Sequence, residues 1–169
     1  MGRLMTTQLN RMEYLEGLPR SLIGTALAPP PVPAPVRMNA TVVGHWDGDS
    51  FYVKLPLGAY GIVIEKQLIR VVGCAARERG DEGGIPAREA LKVRPGMTIG
   101  SPVVLTAIIP NQMSLQNDKY GGRLDAVVTY RAADNTPHDL AADLIADQWA
   151  VPWDGVGVQP KPPWPRTIE

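Results

Sequence analysis

The chain has 169 residues, enough for one domain with arms, and its 44% hydrophobic and 20% charged content excludes wholesale disorder. The formal net charge is zero, yet Asn39 to Gly155 holds 14 acidic and 11 basic residues while the flanks are net basic, so the centre lacks the cationic excess of a general polyanion binder. One cysteine and two histidines exclude an internal disulfide and a zinc cluster, and no run of eighteen apolar residues predicts a membrane span.

Residues 1–38 read as an N-terminal arm. Leu9, Met12, Leu15 and Leu18 predict one short helix that Gly17 and Pro19 end. Ser21 to Ala28 has an A-x-A-like end, but Glu13 and Glu16 stand where a signal peptide is basic, so no signal peptide is expected. Ala28 to Pro35 is a polyproline spacer rising about 3 Å per residue. The globular part, 39–155, opens with β-rich runs at Ala40–Gly44 and Phe51–Leu55 around the turn Asp47-Gly48-Asp49. Ile62 to Ile64 leads into a buried strand through Arg70, followed by a turn carrying Glu78. After the polar loop Arg79–Gly84, Pro86 opens a helix through Val93 that Pro95-Gly96 stops. Val103–Ile109 and Arg123–Tyr130 are strands, the second with its alternation broken by Asp125. Thr136 as N-cap and Pro137 at the first helical position predict a helix. Its apolar face is Leu140, Leu144, Ile145 and Trp149, and Pro152 ends it. His45 reads as a strand-end residue and His138 as part of that helix's first turn, neither with an acid partner at suggestive spacing. Cys74 reads as a small buried hydrophobe. Residues 156–169 form a proline-rich tail.

Three stretches belong together. They are Asp47-Gly48-Asp49-Ser50, then Arg70 with Glu78 eight residues on, then Asp118-Lys119-Tyr120-Gly121-Gly122-Arg123 before a strand. In order and spacing they resemble the staphylococcal nuclease-like (thermonuclease) family, whose signature is D-G-D-[TS], R-x-x-x-x-D-x-P-E and D-[KR]-Y-G-R. The resemblance covers roughly Ala40 to Gly155. It implies a β-barrel with helices (α+β), a five-stranded OB-fold with one helix after the third strand and one after the fifth. Two departures stand out. The aspartate expected between Arg70 and Glu78 is Ala75, and the proline before the glutamate is Arg77.

The resemblance also implies roles. Phosphodiester hydrolysis must align a water, neutralise the pentacoordinate phosphorus and protonate the leaving oxygen. Family members hold calcium on aspartates, position water with a glutamate and clamp phosphate with two arginines, whose planar forks donate paired hydrogen bonds. By alignment the catalytic set is Arg70, Glu78 and Arg123, the last swung into place by a glycine bulge. The metal pair is Asp49 with Asp47 nearby, and the substrate contacts are Lys119, Tyr120 and Trp153. Calcium takes six to eight oxygens, so Ala75 leaves a weak or absent ion, with the Ala76 carbonyl as a spare donor. The plainer alternatives stay open: Arg70 and Glu78 as an ion pair closing the barrel, and Asp-Gly-Asp as an ordinary hairpin turn.

The functional expectation is a catalytically impaired nuclease-like domain that serves as a structural or binding component of a larger assembly. Residues 1–38 and 156–169 are expected to contact its other protein subunits. The Ala-, Gly- and Pro-rich composition fits a GC-rich bacterial or phage source, so the bacterial cytoplasm or a virion is the expected location. The alternatives are an active calcium-dependent nuclease and a nucleic-acid-binding OB-fold that does not cleave.

Overall fold

Alternation of apolar and polar side chains builds the strands and turns one face of each into a common core. In this computed structural model the described residues are 36–58, 61–110, 122–155 and 158–160, with Ile109 and Pro110 as backbone only. The short helix, the polyproline spacer, Lys119, Tyr120 and the tail beyond Pro160 lie outside them. No described helix is long and apolar enough to cross a membrane.

Strand β1 is Arg37–His45 and β2 is Ser50–Leu57, joined by the Asp-Gly-Asp turn. Their antiparallel register pairs Val42 with Val53 and His45 with Phe51. Phe51, Val53 and Leu55 point inward and are essentially inaccessible, while Lys54 and Pro56 point out. Strand β3, Ile62–Val71, pairs with β2, placing Ser50 opposite Arg70. Strand β5, Pro102–Pro110, pairs with β1, and β6, Leu124–Arg131, pairs with β5. A parallel pairing of β3 with β6 then closes a five-stranded mixed barrel, setting Ile69 by Leu124, Arg70 by Asp125 and Val71 by Ala126. Closure removes the open edges that a flat sheet would leave. Val42, Phe51, Val53, Ile69, Leu105 and Val128 fill the barrel.

Two helices accompany it. Helix α1, Gly84–Val93, buries Gly84, Ala87 and Leu91, one stripe at helical spacing. It starts two residues before Pro86, behind Gly83, whose φ is 81°. Helix α2 is Leu140–Ala146 and buries Leu140, Ala141 and Leu144.

The expected start of this second helix is corrected. Thr136 is not its cap and Pro137 is not in it. Pro137–Asp139 is a short strand, β7, paired with β6 so that His138 faces Tyr130. Asp139 caps the helix by accepting the Ala142 N–H at 2.9 Å. Trp149 lies beyond the helix, half-buried against the core, its N–H donating to the Leu144 carbonyl. Pro152 sits in a strand as well. Gly73–Ala76 (β4) and Ala150–Trp153 (β8) form a two-stranded antiparallel ribbon, where a turn and a helix end were expected.

Candidate functional site

Barrel closure decides which polar side chains meet. Arg70 stands near the end of β3, where alternation points it away from the core, and Trp153 of β8 covers it. Its guanidinium carbon lies 4.8 Å from the centre of the indole ring. Arg70 Nη2 is 3.2 Å from Asp49 Oδ2, with the two side chains 8% and 3% exposed. The ion pair therefore sits nearly dry. Nη2 has no aligned hydrogen-bond acceptor at this distance, although it is buried.

Asp49 is a hub. Its Oδ2 accepts the Ala76 N–H at 2.8 Å, its Oδ1 accepts the Ser50 hydroxyl at 3.0 Å, and its carbonyl accepts the Val71 N–H at 2.9 Å. One residue thus ties the β1–β2 turn to both β3 and β4. Asp47 turns back on it, accepting the Asp49 N–H at 3.3 Å. Burial, and then the neighbouring Asp49 charge, push the Asp47 carboxyl up to about 8. Gly48 between them has no room for a side chain. A Cβ there would lie 2.8 Å from Ala76 Cβ and 2.9 Å from Ala87 Cβ.

Arg123 stands just before β6, the strand that neighbours β3. Gly122 takes φ 75°, a left-handed conformation suited to glycine, and the buried Gln67 pins its carbonyl through Nε2 at 2.7 Å. Arg123 Nε then lies 3.5 Å from Asp125 Oδ1. Arg70, Arg123, Asp125, Trp153 and Asp154 line one cleft of about 230 Å³.

The structure therefore brings together Arg70, Asp49, Asp47, Arg123 and Trp153. Glu78 is exposed in the turn after β4 and does not line the cleft; its charge still reaches Asp47. Arg70 pairs with Asp49 rather than with Glu78, the ion pair left open as the plainer alternative. Ala75 is fully buried opposite Val151, and the Ala76 carbonyl accepts from Gln159 Nε2 at 3.1 Å. Among the described residues no group of three or more His, Cys, Asp or Glu side chains is placed to hold a metal.

Sequence reasoning noted Asp125 only as a break in alternation and gave Gln67 no role. The available signal was a polar residue beside the apolar run of its strand, Leu68-Ile69 after Gln67 and Ala126-Val127-Val128 after Asp125. Cys74 is buried as expected, and burial raises its thiol pKa. His45 ends β1 and its ring lies 2.8 Å from the Met97 carbonyl, with burial lowering its pKa. His138 does have an acid partner, Asp143 Oδ2 at 2.9 Å from Nδ1, across the β7–α2 junction. No protein-family model matches this sequence, and no curated protein matches it.

Proposed function

We propose that this chain is a nuclease-like OB-fold barrel that grips a nucleic-acid strand without cutting it, as a binding component of a larger assembly. The strand order β3-β2-β1-β5-β6, closed by the parallel β3–β6 pairing with a helix between β3 and β5, supports the OB-fold assignment. The observation that carries the function is the cleft that Arg70, Arg123 and Trp153 line together. Guanidinium groups suit phosphate oxygens and an indole suits a base.

Hydrolysis is disfavoured by the same geometry. The calcium ion that the resemblance implies would need several carboxylate oxygens. Asp49 already spends its carboxylate on the Ala76 N–H, the Ser50 hydroxyl and Arg70. Ala75 supplies none, and the Ala76 carbonyl is taken by Gln159. These residues do not fit a tight calcium seat. Arg70 and Arg123 bind and orient phosphate, and the exposed Glu78 stands outside the cleft.

The test pairs cleavage with retention. Purified protein is incubated with single-stranded DNA and calcium, beside a chelator control and an Arg70→Ala variant. Filter retention is measured at low and rising salt. Retention that falls with salt, weakens in Arg70→Ala and Arg123→Ala, and comes without cleavage is the expected result. Chelator-sensitive cleavage lost in Arg70→Ala would restore the calcium-nuclease reading, and absence of retention would remove the binding one.

A further inference from the structure

Outside the cleft, a second cluster lies on the outer face of β1, β2 and β3. Trp46 closes the Asp-Gly-Asp turn, its N–H donating to the Ser50 carbonyl at 2.9 Å. Its ring meets that of Tyr52 edge to face, with centroids 6.4 Å apart and planes at 83°. Both residues are half-buried. Gly44 stands across the ladder from Tyr52, where a Cβ would lie 3.5 Å from the ring, so position 44 itself puts no side chain against it.

Each ring carries a cation. Lys66 Nζ is 4.4 Å from the Tyr52 centroid, and the Arg79 guanidinium carbon is 5.5 Å from that of Trp46. Acids are near in sequence, yet Glu65 pairs with Lys54 at 3.1 Å and Glu78 is exposed beside Arg79. Among the described residues neither Lys66 nor Arg79 forms an ion pair. Two exposed cations thus rest on π faces rather than on carboxylates, a weak interaction at exposed sites and easily exchanged.

We infer that Trp46 and Tyr52 form a stacking platform for the bases of a single-stranded nucleic acid, with Lys66 and Arg79 moving from the rings to its phosphates. The occupant follows from the chemistry. It must present planar π faces to displace the cations and negative charges to receive them. A single strand offers both in every nucleotide, whereas a run of acidic side chains offers only the charge. Trp46 lies three residues from Asp49, the ion-pair partner of the cleft residue Arg70, at most about 10 Å of chain away. The inference rests on the strand-binding reading above and extends it to a second contact for the same strand.

The experiment measures fluorescence anisotropy of the full chain with three labelled probes: a single-stranded oligodeoxynucleotide, an abasic strand of equal length, and poly-glutamate. Trp46→Leu and Tyr52→Leu should each weaken the base-bearing strand about tenfold and leave the abasic strand unchanged. Lys66→Gln with Arg79→Gln should weaken both strands and flatten the salt dependence. If both aromatic variants bind like the parent while Arg70→Ala still binds weakly, the platform is overturned and the cleft stands. Poly-glutamate binding as tightly as the strand would assign the face to an acidic partner and overturn the inference. No binding of any probe would overturn the cleft and the platform together. Photocrosslinking of a bromouracil strand to the unaltered protein covers a variant that fails to fold. Adducts at Trp46 or Tyr52 support the platform, and adducts confined to the cleft refute it.

Discussion

Replacing Asp49 separates a structural latch from a metal ligand, because the two roles predict opposite signs. As a latch, its carboxylate balances a guanidinium that is 8% exposed and satisfies the buried Ala76 N–H. Removing one partner of a buried ion pair costs about 3–5 kcal/mol, since the other charge stays dry and uncompensated. Asp49→Ala should therefore cost about 4 kcal/mol. Asp49→Asn keeps an acceptor for the Ala76 N–H and loses only the charge, so about 2 kcal/mol is expected. Adding Arg70→Met to Asp49→Asn removes the stranded cation. The double variant should be more stable than the sum of the single effects by roughly 1–3 kcal/mol. As an empty metal ligand, Asp49 would chiefly repel Asp47, and its removal without calcium would stabilise the fold. Urea titrations followed by tryptophan fluorescence, in the presence of a chelator, measure each midpoint at constant slope. An Asp49→Ala variant no less stable than the parent, or strictly additive effects with Arg70→Met, would refute the latch.

Three further outcomes are expected. Asp47 has a folded pKa raised to about 8 against an ordinary value of 3.8, so its contribution to stability is complete below about pH 4 and disappears as pH climbs to 8. Melting temperatures from pH 5 to 9 should fall less steeply in Asp47→Asn than in the parent, and parallel curves would contradict the burial of that carboxyl. Gly48→Ala forces a methyl group against the Cβ atoms of Ala76 and Ala87, which should cost about 1–3 kcal/mol by calorimetric melting; an unchanged melt would show that the turn can move off helix α1. Ala75→Asp should raise calcium affinity in titration calorimetry by adding a carboxylate to the strand that Asp49 already touches. No gain would count against aligning position 75 with a metal-ligand aspartate.

The barrel strands were legible because each signals itself locally. Phe51, Val53 and Leu55 alternate with outward residues, as do Ala126, Val128 and Tyr130, and burial follows that period in the structure. The first helix was legible for the same reason, through Ala87 and Leu91 and the Pro95-Gly96 stop. The start at Thr136 was misread because a Thr-Pro pair is a good helix opening in isolation. Here a ladder to β6 holds Pro137–Asp139 extended and moves the cap to Asp139. The β4–β8 ribbon was invisible for a related reason. Its two short halves become strands only when Gly73 meets Trp153, eighty residues away.

The site divides along the same line. The family resemblance singled out Arg70, Asp49, Arg123 and Trp153 from the chain alone, together with Glu78, which the structure leaves outside the cleft. Which of them touch was settled by the pairing of β3 with β2 on one side and β6 on the other, and by the ribbon folding over Arg70. The β2–β3 register, with Ser50 opposite Arg70, gave the arginine Asp49 as its partner in place of the nearer-looking Glu78. Periodicity is carried by neighbouring residues and can be read along a line, whereas the partner of a buried charge depends on which distant strands exclude water around it.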